Sequence, residues 1–238
     1  MREIKKILII IITVALIFTL SACNVQNIIK GSNSVTFNFQ KDMQGWKAGF
    51  ADLPVDYDKD FYELGFKQAT IPVKDNKDKG ILLKGNNHSD DLFMFITKKV
   101  DSKYGLKPNT TYKLNIAFDI ATNVPGGMMG VGGSPGASVY VKAGATNVEP
   151  KAEKNGDGYY RMNIDKANQG ESGKDMVVLG NIEKIDSQDE SFQYKHFETI
   201  FQAKTNDKGE GWIIIGTDSG FESLSELYFT NIRLTLTK

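Results

Sequence analysis

Cysteine, histidine and net charge are what this chain has least of. One cysteine in 238 residues can form neither an internal disulfide nor a paired-cysteine metal site. The two histidines, His88 and His196, do not make the His-Glu-x-x-His pattern of a zinc-protease helix. A formal charge of +0 supplies no basic face, which argues against a nucleic-acid partner. No Gly-Lys-Ser/Thr phosphate loop occurs. The one glycine-rich stretch, Pro125 to Gly136, is interrupted by Pro135 and followed by a strand-like run, whereas a phosphate cradle opens a helix. Within it, Gly-Gly-Ser-Pro-Gly places Pro135 at a variable position of a nucleophile elbow but lacks the strand-to-helix context. The stretch reads as a loop that lets backbones approach, and as a candidate wall of a ligand cleft. Beyond the N-terminus there is no amphipathic helix of useful length, no internal repeat and no second linker, so one domain is expected.

The N-terminus is where the apolar residues concentrate. Arg2, Lys5 and Lys6 precede the run Ile7 to Leu20, which ends in Ser21-Ala22-Cys23. A basic start, a short apolar stretch and small residues at its end describe a secretory signal. A membrane-spanning helix needs about 20 apolar residues, more than this run contains. Leu-Ser-Ala-Cys, residues 20 to 23, resembles the lipobox of bacterial lipoproteins. That resemblance implies cleavage before Cys23 and acylation of its thiol, the alternative being an uncleaved anchor with an idle thiol. Two or more acyl chains on Cys23 would tether the protein stably, where one holds only marginally. The expected organisation is a signal peptide over residues 1–22, a polar tether over 23–34 and a domain over 35–238. Loss of residues 1–22 removes Arg2, Lys5, Lys6 and Glu3 and moves the formal charge from +0 to −2.

The remainder is short β-like runs between turns. Val35, Phe37 and Phe39 alternate with polar residues, and so do Tyr112, Leu114, Ile116, Phe118 and Ile120. Similar runs cover 137–143, 159–164, 175–182, 196–204, 211–217 and 227–237. Period-two alternation rich in Val, Ile, Tyr, Phe and Thr is the strand signal. Asn155 to Gly158 suits a tight hairpin, and 107–110 and 206–211 are further turns. Many short strands with glycine-rich turns predict an all-β sandwich or barrel. The uneven runs and long loops do not suit a closed membrane barrel.

Three stretches sharpen that prediction. Residues 37–50, Phe-Asn-Phe-Gln-Lys-Asp-Met-Gln-Gly-Trp-Lys-Ala-Gly-Phe, resemble the opening of jelly-roll carbohydrate-binding modules of the galactose-binding-like type. Residues 105–120 resemble their middle strand, and 227–236 their closing strand. The match covers about a fifth of the domain, and residues 123–192 lie outside it. The resemblance implies a two-sheet jelly-roll β-sandwich and a structural calcium near the terminal strands. The matching positions are Asn38, Gln40, Asp42 and Asn231, mostly amides where hard Ca²⁺ favours carboxylates. No cofactor is required by any other feature.

Candidate site residues each have two readings. Asp56, Asp58, Asp60 and Glu63 alternate as in an EF-hand, but Phe61 and Lys67 stand where that loop needs Gly and Glu. What is left is a looser metal site or a solvated acidic loop. Trp46, Phe50, Tyr57 and His88 could form a flat platform for sugar rings, or Trp46 could staple the first turn to the core; Trp212, inside an apolar run, reads as a core strand residue. His88 with Asp90 and Asp91 could hold a metal or sugar hydroxyls, or the loop could simply be solvated. Leu92 to Val100 follows Ser89-Asp90-Asp91, which has helix-capping grammar. Its β-branched and aromatic content, apolar on both faces, predicts instead a strand covered on both sides.

The expected function is therefore that of a lipid-anchored lipoprotein on the extracytoplasmic face of the cell membrane, binding carbohydrate through a β-sandwich. The alternatives are a polysaccharide-active hydrolase or lyase, for which 28 acids outside the signal segment select no pair, and a structural lipoprotein with a protein partner. Replacement of the thiol tests the anchor. Cys23→Ser should abolish incorporation of labelled fatty acid into the chain in its native host, and undiminished labelling would contradict the lipobox.

Overall fold

The computed structural model describes residues 33–184 and 189–238. The signal segment, most of the expected tether and Cys23 lie outside the described residues. In chain order the strands are β1 (Asn33–Thr36), β2 (Lys47–Ala51), β3 (Leu53–Pro54), β4 (Gly65–Thr70), β5 (Lys79–Asn86), β6 (Leu92–Val100), β7 (Thr111–Thr122), β8 (Val139–Thr146), β9 (Ala152–Lys154), β10 (Tyr159–Met162), β11 (Met176–Asn181), β12 (Gln193–Lys204), β13 (Gly211–Ser219) and β14 (Leu224–Thr237).

They form two main antiparallel sheets and a small third one. The first runs β12-β7-β14-β5-β4, with β1 also on β14; the second runs β11-β8-β13-β6-β2; the third is β3-β10-β9. Along much of the chain successive strands change sheet, which gives a jelly-roll β-sandwich: the alternating runs predict the sandwich, and the resemblance implies the jelly roll. The helix that could have followed Ser89 is instead strand β6, and the short turn Ser102–Tyr104 is 3₁₀.

Alternation places the core. Tyr112, Leu114, Ile116, Phe118 and Ile120 of β7 face inward, opposite Val139, Val141 and Ala143 of β8 and Ile213 and Ile215 of β13, in one buried cluster. Strand β6 is covered on both faces, as its composition requires. Leu92, Met94 and Ile96 enter the main core, while Phe93 and Phe95 enter a second cluster with Ala51, Ile164, Met176 and Ile214 on the outer side of the second sheet. The small sheet and the loop 163–175 supply that outer cover.

The domain begins earlier than Val35. Asn33 and Ser34 pair with Leu236 and Thr235, so the strand takes two residues from the expected tether. Conversely Phe37 and Phe39 leave the ladder after Thr36 yet remain buried, and Phe37 N–H still donates to the Ile232 carbonyl at 2.9 Å. Asn231, at φ +50°, sits in the bulge between Thr230 and Arg233. The bulge lets β14 pair with β5 along its first half and with β1 along its second.

Phe118 is 0% exposed and packs against Phe197 at 5.6 Å and Phe229 at 6.4 Å between ring centroids. Phe118→Ala should lower unfolding free energy by about 3–5 kcal/mol in urea titration. Ile200→Ala, on edge strand β12 and 58% exposed, should change it by about 0.5 kcal/mol or less. Equal losses at the two positions would contradict the assignment of core and edge.

Candidate functional site

The expected platform separates into three places. Trp46 is 3% exposed and meets Phe37 edge to face at 5.3 Å, so its indole closes the core below the first turn and offers no surface face. This corrects the surface reading of Trp46. Its neighbour Gly45 takes φ +72°, which turns the indole inward. His88 is exposed and stacks on Phe61 at 4.2 Å and 29°. Phe61 continues through Tyr62 and Tyr57 to Tyr160, each pair edge to face at 5.6–6.0 Å.

Asp90 and Asp91 point to different surroundings. Asp90 lies exposed at φ +70° in the turn entering β6. Asp91 turns under the small sheet. Asn87 is buried and holds the turn by donating to the carbonyls of Ser219 (3.0 Å) and Phe221 (3.2 Å). His88, Asp90 and Asp91 therefore share a turn but not a ligand point.

Four of the metal candidates, Asn38, Asp42, Asp58 and Asn231, are committed to a neighbour. Asp42 accepts from Gln44 N–H at 2.7 Å, Asn38 from Gln40 N–H at 2.9 Å, and Asn231 donates to Asp119 at 2.6 Å. Asp58 accepts from Asp60 N–H at 2.8 Å and closes the 58–61 turn, with Asp56 and Asp60 exposed beside it. Amides tied up in this way do not fit the carboxylate-rich cage that calcium favours.

Among the described residues, three carboxylates converge elsewhere. Oxygens of Asp52, Asp91 and Asp218 lie within 4.8 Å of one another on the outer side of the second sheet. Their cations are the protein's own. Lys142 and Lys166 ammonium groups contact Asp218 Oδ2 at 2.7 and 2.9 Å; Lys166 also reaches Asp52 at 3.0 Å, and Arg161 reaches it at 2.8 Å. Lys142 and Asp218 side chains are 0% exposed. Burial, then the negative charge of Asp218, pushes the Asp91 carboxyl up to about 8. Burial likewise pulls the Lys142 amine down, only partly opposed by Asp218. For Lys166 burial acts the same way, but Asp218 and Asp52 together outweigh it and the net shift is upward.

This charged row pins the small sheet. Asp52 N–H donates to the Tyr160 carbonyl at 2.7 Å, and the neighbouring Arg161 side chain closes on the Asp52 carboxylate. The loop 163–175 is anchored alongside: Asp165 and Asp175 exchange backbone and side-chain hydrogen bonds, and Gly144 lets Asp175 carbonyl approach where a Cβ would stand 1.9 Å from it.

The rest of that outer face stays open as a groove. One part, of ≈ 430 Å³, is lined by Lys47, Gly49, Phe50, Tyr57, Phe95 and Tyr160 among others. A second part, of ≈ 240 Å³, is lined by Gly45, Lys47, Thr97, Lys99, Glu149 and Trp212. The two share Lys47, Thr97 and Glu149 and so form one trough. Phe95 is its floor, and it lies flat across β2 only because Gly49 has no Cβ, which would stand 2.3 Å from the ring.

Trp212 is the residue that sequence reading misplaced. It lies in strand β13 as expected, but register puts it with Ile214 and Asp218 on the outer face, half-buried, with the Lys99 ammonium 5.7 Å from its ring. Phe50 and Tyr57 are among the residues at the trough, and both also pack against the main core. The charges along it are paired: Lys47 and Lys151 on Glu149 at 3.3 and 3.0 Å, Lys99 on Glu210 at 2.5 Å. Hydrogen bonds from Lys151 first, with Lys47 adding to them, hold Glu149 below the usual carboxylate range.

Comparison with known proteins gives likeness of architecture alone. No family model matches the chain, and no curated protein sequence matches it. Similar solved structures include the CBM22-1 xylan-binding domain from Paenibacillus barcinonensis Xyn10C, at 10% identity over 86% of this chain and 94% of that one, TM-score 0.41. The mannan-recognising carbohydrate-binding module TmCBM27 follows at 11% identity, 86% and 96% coverage, TM-score 0.39. A cyclase from Fischerella sp. TAU is similar at 14% identity, 85% and 97% coverage, TM-score 0.40. What these proteins bind or make is theirs; a shared architecture does not transfer it.

Proposed function

We propose that this protein is a membrane-anchored extracytoplasmic lipoprotein whose β-sandwich binds a neutral oligosaccharide in the outer trough. The anchoring rests on the Leu-Ser-Ala-Cys motif at residues 20–23. The binding rests on one observation: the half-buried Trp212 indole stands in an open trough with Tyr57 and Tyr160 farther along it and hydrogen-bonding groups on its sides. Pyranose rings present C–H faces that pack on flat aromatic rings, while their hydroxyls need donors and acceptors at the rim. Lys47, Lys99 and Glu149 supply these. Because its lysines already face carboxylates, the trough favours an uncharged sugar over an anionic one.

The trough is elongated and open, which suits a chain of sugars entering from the side. Phe95 and Gly49 make its floor rigid, so the aromatic faces stand ready before the ligand arrives.

Affinity electrophoresis and calorimetry of the domain from Asn33 onward against a panel of neutral polysaccharides test this reading. Binding to at least one is expected. Trp212→Ala should raise Kd tenfold or more, about 1.4 kcal/mol, with Trp212→Phe between the two. Absence of glycan binding, or binding indifferent to Trp212→Ala, would overturn the reading.

A further inference from the structure

The buried row holds an arrangement that salt-bridge chemistry alone does not account for. Lys142 and Asp218 are both fully buried, at 2.7 Å from nitrogen to Oδ2, on neighbouring strands β8 and β13. Lys142 stands opposite Gly216, and Asp218 lies two residues farther along the same face. The walls are apolar: Phe93, Ile214 and Met176 surround the row, and the Lys166 ammonium lies 5.0 Å over the Phe93 ring. A buried ion pair in such surroundings loses as much from desolvation as it gains from attraction. A third carboxyl, Asp91, brings an oxygen within 4.8 Å of Asp218, and burial beside that negative charge favours its protonated form. Asp218 Oδ1 and Asp91 Oδ1 are buried and meet no N–H donor, the pattern two carboxyls make when they share a proton.

An amine held against a carboxyl, with a proton-carrying carboxyl beside it and water excluded, is the arrangement that amide formation requires. We propose that Lys142 and Asp218 condense to an intramolecular isopeptide bond, with Asp91 shuttling the proton and Lys166 stabilising the developing oxyanion.

The step balances without any co-reactant. The Lys142 ammonium passes one proton to Asp218, leaving a neutral amine against a carboxylic acid. The Nζ lone pair attacks Asp218 Cγ and the C=O π pair moves to oxygen, where Lys166 meets the charge. Asp91 gives its proton to the departing hydroxyl and takes one from the nitrogen. The C–O bond breaks, one water leaves, and the amide keeps a single N–H. Nothing is oxidised or reduced, and Asp91 ends as it began.

The roles follow from each residue's partners. Lys166 is bound to both Asp52 and Asp218, which hold it charged. Among the described residues Lys142 has Asp218 as its one carboxylate contact, with the Lys166 carbonyl accepting a second of its hydrogens at 2.9 Å. Burial favours its neutral, nucleophilic form. The product bond removes two buried charges and leaves Asp52 and Asp91 facing Arg161 and Lys166. It also supplies, in a chain with a single cysteine, a covalent staple of the kind disulfides provide elsewhere.

Tryptic mapping of the folded full-length chain by mass spectrometry tests the proposal. The expected product is a branched peptide, lighter than its two parts by one water, joining Lys142 to the Asp218 segment, with no cleavage after Lys142. Lys142→Met and Asp218→Ala should lack it. Should either variant fail to fold, Asp91→Asn, which preserves shape, should form the branch at least tenfold more slowly on refolding. Linear peptides carrying free Lys142 from the folded wild type would overturn the proposal. So would a branch through Lys166, or one formed at an unchanged rate in Asp91→Asn.

Discussion

The carboxylate of Asp218 is the point on which the outer half of this molecule depends. It sits at the end of β13 with no solvent exposure and receives two lysines that come from different parts of the chain, Lys142 from β8 and Lys166 from the 163–175 loop. A charge there cannot be left alone, because an isolated carboxylate in an apolar interior is worth several kcal/mol of desolvation. The loop must therefore close over it. Lys166 in turn reaches Asp52, and Asp52 carries β10 through Arg161 and the Tyr160 carbonyl. Before the proposed condensation with Lys142 neutralises it, one buried anion thus orders a loop, a small sheet and the turn that precedes β3, and the Lys166–Asp52–Arg161 contacts keep them in place afterwards.

That cover is partial, and its boundary creates the trough. Along β6 the outward residues run Phe93, Phe95, Thr97 and Lys99. Phe93 lies beneath Lys166, Phe95 forms the buried floor, and Thr97 and Lys99 line the part beside Trp212. The clamped sheet contributes Tyr160 as a wall. Stability and recognition are coupled here by adjacency: loosening the charged row would move the wall of the site without touching its floor.

Much of the fold was legible because period-two alternation is local. The pattern over 111–122 coincides with β7, and the both-sided apolar character of 92–100 announced a strand buried on two faces. The site was less legible, for three physical reasons. Asp90 and Asp91 are identical neighbours, and only the left-handed backbone at Asp90 sends one outward and the other under the small sheet. The run Gly-Trp-Ile-Ile-Ile-Gly is apolar throughout, so nothing in it says which face Trp212 takes; register against β6 and β8 decides. Lys142 and Asp218 meet across 76 positions of sequence, a pairing set by sheet topology. The one signal for them was a lysine and an aspartate set inside otherwise apolar strand runs, where each demands a partner. Trp46, by contrast, was read from its turn, and the turn faces inward.

The measurement closest to the central claim is native-state hydrogen exchange in the wild type and in Lys166→Met. The amides of Asp52 and Asp175 donate to the carbonyls of Tyr160 and Asp165, so they report whether the small sheet and the loop stay closed. If the buried charges are the clamp, both amides in the wild type exchange only with global unfolding. In Lys166→Met they should exchange through local opening while those of β7 stay protected. Unchanged protection of Asp52 and Asp175 in that variant would show that the cover is held by something other than the Asp218 row.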